Sequence, residues 1–259
     1  MFRRRVLVSV ALAAALATSA GACSKGDAVS VSKDPAAALA AAATRTAEGN
    51  SVKLDLSAKT ASLTVATGNG AYDFTKKTGR FTLAGALLAN FDLIFTPDKV
   101  YIKTPQGPKQ WAAFTDAELA NSGSTSFLAS IRSQLDPREA LRNLGGSTKN
   151  AKVVGKEKVR GTDTTHVHAD VDLSDAAIAK APADAQESLR QARQSLGADS
   201  YPIDVWLDGD GRVRRLSYSL TVGEGAQRAT TTVQLEFYDF GKDPGIVIPP
   251  ASDVKEGVG

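Results

Sequence analysis

The sequence predicts an α+β fold, a single curved antiparallel β-sheet (half-barrel) with helices packed on the concave face. Three observations predict it. Apolar residues recur with a period of two in two blocks, Val52 to Ile102 and Lys152 to Phe237. Short turns join the strands within each block, so neighbours must run antiparallel. Helical stretches are few and each strand has one apolar face, so one side of the sheet faces water and the helices must cover the other.

The N-terminus comes first in chain order. Arg3, Arg4 and Arg5 form a positive start, Val6 to Ala17 is an apolar run, and Ala20-Gly21-Ala22 puts small residues directly before Cys23. That is the pattern of an export signal, expected over residues 1–22. The arginines suit either general or twin-arginine export. An uncleaved spanning helix is the alternative, but Val6 to Ala22 is at the short end of the ~17–25 residues a span needs. A cysteine placed directly after the small residues resembles the bacterial lipobox, in which the thiol is lipidated. Cys23 is the one cysteine of the chain, so no internal disulfide can form and modification explains the thiol. Two or three acyl chains, palmitate among them, anchor a protein stably where one gives marginal binding. The mature protein is therefore expected outside the cytoplasm, held to the cell membrane.

Residues 23–33 read as the lipidated cysteine and a small, polar tether, and 34–259 as one domain. Asp34-Pro35 is the cap and first residue of an Ala-rich helix that Gly49-Asn50 stops. Val52, Leu54, Leu56 and Ala58 then alternate with polar neighbours, and Leu63 with Val65 repeats the pattern. Phe81 and Leu83, then Phe91, Leu93 and Phe95, then Val100 and Ile102 continue it. From about Thr115 the spacing turns helical: Phe127, Leu128, Ile131 and Leu135 fall on one helix face, and Asp136-Pro137 opens a further helix through Leu144. In the second block Thr165, Val167, Ala169, Val171 and Leu173 alternate with His166, His168, Asp170 and Asp172. A polar helix from Ala183 to Leu196 interrupts, and three more strands follow through Val205, Leu216, Leu220, Leu235 and Phe237. Asp208-Gly209-Asp210-Gly211 and Gly223-Glu224-Gly225 read as hairpin turns.

Charge and composition exclude more than they assign. Once the three signal arginines leave, 28 basic residues face 28 acidic ones. No basic stripe with interleaved aromatics points to nucleic acid. His166 and His168 share a strand face, but zinc would want a further ligand such as Asp170, and the pair is expected to face solvent. Asp208 to Gly211 lacks the acidic repeat and closing Glu of a calcium loop. Trp206 either covers the outer sheet surface or meets a partner; Trp111 sits either at a cavity mouth or in the core. No nucleophile with a base, no phosphate-cradling glycine loop and no singled-out carboxylate pair is visible, so neither catalysis nor a cofactor or metal is expected.

Several stretches together carry a family resemblance. They are Asp136-Pro137 to Leu144, Val153 to Gly161, Tyr201-Pro202-Ile203-Asp204-Val205-Trp206-Leu207-Asp208, Gly211 to Leu216, Phe240-Gly241 and Val247-Ile248-Pro249-Pro250. In this order they resemble the actinobacterial LppX/LprA/LprF/LprG lipoproteins and, more remotely, half-barrel carriers of the LolA/LolB kind. The resemblance implies a cavity between sheet and helices that holds acyl chains of cell-envelope lipids or lipoglycans. Period-two parity puts Leu54, Leu56, Phe81, Leu83, Leu93, Phe95, Val205, Leu216, Leu220 and Leu235 on its wall, with Phe127, Ile131 and Leu135 opposite. The expected partners are an acylated lipid or glycolipid, the cell membrane through the anchor, and a membrane transporter or sensor protein. The competing reading is an interaction module that regulates a membrane protein partner and needs no lipid.

Overall fold

The computed structural model describes residues 31–85, 91–103, 110–121, 137–142, 144, 148–181, 183–222 and 229–256. The expectations placed on Cys23, Phe127, Ile131 and Leu135 lie outside the described residues, as does the Gly223-Glu224-Gly225 turn. Twelve strands form one open, curved sheet. The first block supplies β1 (Ser51–Lys59), β2 (Thr64–Asp73), β3 (Thr78–Gly85), β4 (Phe91–Phe95), β5 (Lys99–Lys103) and β6 (Trp111–Thr115). The second supplies β7 (Thr148–Val159), β8 (Thr162–Asp172), β9 (Ser200–Leu207), β10 (Val213–Val222) and β11 (Ala229–Tyr238). Short β12 (Val254–Glu256) closes the count. The order across the sheet is β12-β6-β5-β4-β3-β2-β1-β11-β10-β9-β8-β7. The two blocks become continuous because β1 pairs with β11, Leu56 opposite Leu235.

Helix α1 (Pro35–Ala47) forms where its sequence says it should. The Asp34 carboxylate accepts from the Ala37 N–H at 2.9 Å, Pro35 takes the first turn, and the Ala run costs little side-chain entropy. Asn50 turns the chain into β1 through a left-handed φ of 62°. Val31 and Ser32, ahead of the helix, share a depression with Lys156 to Lys158, Asp163 to Thr165 and the β9–β10 turn. At its other end the Thr46 hydroxyl accepts from the Val213 N–H at 3.0 Å. The helix thus runs across the strand ends from the β7–β8 hairpin to β1. Ala38, Leu39 and Ala42 are buried beneath it. Among the described residues the other helices are α2 (Asp116–Asn121), α3 (Pro137–Arg142), α4 (Asp175–Lys180) and α5 (Ala183–Leu196), whose Leu189 joins the core. The Ser174 hydroxyl caps α4.

Two features depart from the sequence expectation. Leu63, assigned to the alternating pattern with Val65, is 53% exposed, because Thr60 and Leu63 close a turn on each other ahead of β2. And β12 pairs parallel with β6, the one parallel ladder among the described residues. To reach it, residues 239–253 cross from β11 past β1 and on beyond β6 to the sheet edge, seven strand spacings or about 34 Å. Pro244 and Gly245 lie beside Lys53, Ala71 and Arg80, which alternate with the inward Leu54, Tyr72 and Phe81, so the tail travels over the outer face. Ile94 and Ala113 also point outward by parity and yet are each 1% exposed, in keeping with a chain lying across that side.

Candidate functional site

The inner face of the sheet is stacked in tiers that the strand register defines. Nearest α1, Val52 aligns with Tyr72, Gly79, Phe95 and Val100. One step further, Leu54 aligns with Gly70, Phe81, Leu93 and Ile102. The next tier runs unbroken across nine strands: Phe91, Leu83, Gly68, Leu56, Leu235, Leu216, Val205, Val167 and Val153. Beyond it lie Gly85, Ala66, Ala58, Val233, Tyr218, Ile203 and Ala169. Burial falls along this direction on β1 and β10, whereas Ile203 and Ala169 on β9 and β8 stay buried. Val52 and Leu54 are buried while Leu56 and Ala58 are half-covered; Leu216 is buried while Tyr218 and Leu220 are half-covered.

The glycines of β2 are what let the wall form. A Cβ on Gly70 would lie 2.3 Å from Phe81 Cδ1 and 2.4 Å from the Arg80 carbonyl, and one on Gly68 would lie 2.6 Å from Leu83 Cδ2. Phe81 and Leu83 therefore lie over β2 itself, and Phe81 meets Phe95 at 5.5 Å between ring centroids. In the lower tiers the space is filled by side chains. In the upper tier β1 to β3 contribute only small residues, Ala58, Ala66 and Gly85.

Of the sequence-assigned wall residues, Leu54, Phe81, Leu83, Leu93, Phe95, Val205, Leu216 and Leu235 are buried together in the core. Leu56 packs against it half-covered, and Leu220 is half-covered on the same face. The structure adds Gly68, Gly70, Ala58, Ala66, Tyr201 and Tyr218. Glycine and alanine carry no apolar periodicity of their own, so only strand parity from Leu54 and Leu56 could have found them. Tyr201 and Tyr218 meet edge to face at 6.1 Å, and burial pushes the Tyr218 phenol above its ordinary value.

The outer face is a different surface. His166 stacks on Trp206 at 4.2 Å, Trp206 Nε1 donates to Glu157 at 3.0 Å, and Asp204 meets both His166 and His168. The stack covers His166, whose side chain is 13% exposed, which corrects the expectation of solvent for that member of the pair, while His168 keeps 31% exposure. It also resolves Trp206 as a cover for the outer surface. The Trp206 N–H, chiefly, holds the Glu157 carboxyl below its ordinary value, with His166 adding to the effect. Arg215 lies over the Trp206 ring and pairs with Glu236, which also takes Arg160. Arg160 reaches Asp55 as well. These groups satisfy one another across β7 to β11 and β1. Trp111 opens β6, half-covered. Among the described residues no three His, Cys, Asp or Glu side chains converge as a metal site would require, and no helix is long and apolar enough to cross a membrane.

Comparison with known proteins follows the same line. A search of curated proteins finds no match. Among solved structures, LprF from Mycobacterium bovis is 14% identical with a TM-score of 0.50, the match covering 85% of this chain and 97% of LprF. LppX from Mycobacterium tuberculosis is 16% identical with a TM-score of 0.48, covering 81% of this chain and 97% of LppX. The first of these likenesses establishes a shared fold. The family model described as LppX_LprAFG lipoprotein matches residues 34–244, and the chain belongs to that lipoprotein family.

Proposed function

We propose that this is a membrane-anchored lipoprotein that binds acyl chains of cell-envelope lipids or lipoglycans between sheet and helices, and carries or chaperones them without chemistry of its own. The observation that carries the reading is the inner wall: an apolar tier continuous across nine strands, backed on β1 to β3 by small, half-covered residues. Moving an acyl chain out of water is worth ~0.8 kcal/mol per methylene. A carrier can therefore release its cargo only into another apolar medium, and a wall without strong polar anchors keeps that exchange nearly isoenergetic. Few convergent polar groups in an apolar hollow is the ordinary character of a ligand site. Family membership and Cys23 after Ala20-Gly21-Ala22 support attachment of the domain to the outer surface of the cell membrane. The interaction-module alternative calls for a filled groove, and the small, half-covered Ala58 and Ala66 favour the carrier reading instead.

The test adds bulk at two depths and follows transfer of a pyrene-labelled diacyl lipid between vesicles. Ala58→Trp should abolish transfer while the melting temperature stays within a few degrees of the parent. Leu93→Trp, in a filled tier, should cost ~1–3 kcal/mol of stability by overpacking. Equal destabilisation by both, with no transfer by the parent, overturns the carrier reading.

A further inference from the structure

Two of the large apolar side chains that the described residues leave exposed are neighbours on one strand. Val153 is 39% exposed and Val154 54%. Both lie on β7, which ends the strand order, so among the described residues its outer edge pairs with no other strand. Val154 is the extra residue of a bulge, since the pairing with β8 passes from Val153–Val167 to Gly155–His166. Lys152 and Lys156 flank the pair, both exposed. Lys149 and Lys158, the next lysines along the strand, are taken up by Asp172 and Asp163, whereas among the described residues neither Lys152 nor Lys156 has an ion-pair partner. The one acidic residue of β7, Glu157, is turned to Trp206 and His166.

Lysines and a bulge alone are what keeps an edge strand from pairing with another chain. Two exposed valines between them are not, since they add apolar surface where such an edge sheds it. Apolar side chains set between free lysines match the boundary of an anionic bilayer, where the lysines meet headgroups and the valines reach toward hydrocarbon. The place fits as well. The chain enters the domain at Val31 and Ser32, which share a depression with Lys156 and Lys158. On the anchor reading a lipid holds Cys23, eight residues before Val31, so Val31 can stand no more than about 29 Å from the membrane surface. The other exposed neighbours, Val247 and Ile248, lie in the tail that crosses the opposite half of the sheet, and Gly245 to Pro250 carry no charge.

We propose that Lys152-Val153-Val154-Gly155-Lys156 on the β7 edge is a docking surface for the anionic bilayer that holds the lipid anchor. Val153 also ends the apolar tier of the inner wall, so docking brings that end of the wall to the bilayer. The inference rests on the anchor reading and goes beyond it by naming the edge that faces the membrane.

The test is cosedimentation with sucrose-loaded vesicles of phosphatidylcholine, with and without phosphatidylglycerol, at low salt. It uses the chain beginning at residue 23 and bearing Cys23→Ser; residues 31–256 hold the whole twelve-stranded sheet and its core. The parent should bind the anionic vesicles and leave the neutral ones. A lysine near an anionic surface is worth about fivefold in partitioning, so Lys152→Gln with Lys156→Gln should weaken binding roughly twenty-fivefold. Val153→Ser with Val154→Ser should weaken it several-fold while the melting temperature stays near the parent's. Lys59→Gln with Lys255→Gln, which removes the same charge elsewhere, should leave binding as it is. A parent that ignores anionic vesicles or binds both kinds alike overturns docking. So does a valine pair whose change has no effect, or an equal loss from the Lys59 and Lys255 changes. Self-association of the parent that the valine changes abolish, without vesicle binding, assigns the edge to a second copy and overturns it too. The intact mass of the unaltered chain from its own host judges the anchor separately. A lipidated mass leaves the anchor standing whatever the vesicles show, and a bare mass removes the anchor reading and this inference together.

Discussion

Gly70 shows how much of the inner wall rests on residues without side chains. Any Cβ there meets the Phe81 ring and, at 2.4 Å, the Arg80 carbonyl, and a backbone oxygen cannot swing away. Gly70→Val should therefore lower stability by ~1–3 kcal/mol or more, read as a lowered denaturation midpoint with unchanged slope. Outside the wall, Glu157 gives a pH signature. Its carboxyl is held below the ordinary value of 4.5 by the Trp206 N–H and His166. A depressed carboxylate contributes above its unfolded value and loses that contribution as pH falls through the folded one. The chain has two tryptophans, so in a Trp111→Phe background the Trp206 fluorescence should show a transition below about pH 4.5. Glu157→Gln should flatten that transition. Sequence reading reached the large apolar residues of the wall because alternation is a property of large apolar residues. It missed Gly68, Gly70 and Ala66 because they carry no large apolar side chain to mark the alternation. It also could not pair His166 with Trp206, since they lie on neighbouring strands whose register only the folded sheet sets.

At the scale of elements, local chemistry and long-range placement divide cleanly. Asp34-Pro35 announces α1 by cap chemistry, and the structure begins the helix at Pro35. The polar stretch Ala183 to Leu196 becomes α5 with those ends. Asp208 to Arg212 makes the β9–β10 turn, where the Asp208 carboxylate accepts from the Asp210 and Arg212 N–H groups and Gly211 takes φ 77°. Each of these is decided by residues a few positions apart. The tail was not legible: Asp243 to Pro250 has no periodicity, and its path over the outer face follows from where β12 finds an edge. That path yields an expectation. Ending the chain after Lys242 removes the tail from beside Lys53, Ala71 and Arg80 and frees the edge of β6, an unpaired row of backbone groups that invites other strands. The truncated protein should melt lower and associate at concentrations where the parent stays monomeric, measured by sedimentation. An unchanged melting temperature and mass would mean that the tail covers nothing of consequence.

The whole molecule is an apolar surface larger than its described helices cover. Twelve strands present one face inward, yet α2, α3 and α4 are single short helices, and α1 lies across one end. An ordinary core would close such a face by dense packing, and here the lower tiers do so, with Phe81 and Leu83 lying over glycine. Among the described residues the upper tier is less covered on β1 to β3, where it carries only Ala58, Ala66 and Gly85. The central claim is that an acyl chain lies against that wall. Native mass spectrometry of the Cys23→Ser chain, exported in its own host and purified without detergent, tests it most directly. The account expects a population heavier than the polypeptide by the mass of a lipid, reduced to the bare mass by organic extraction and restored by incubation with the extract. A single species at the polypeptide mass before and after extraction, from a protein that takes up no added diacyl lipid, would contradict it.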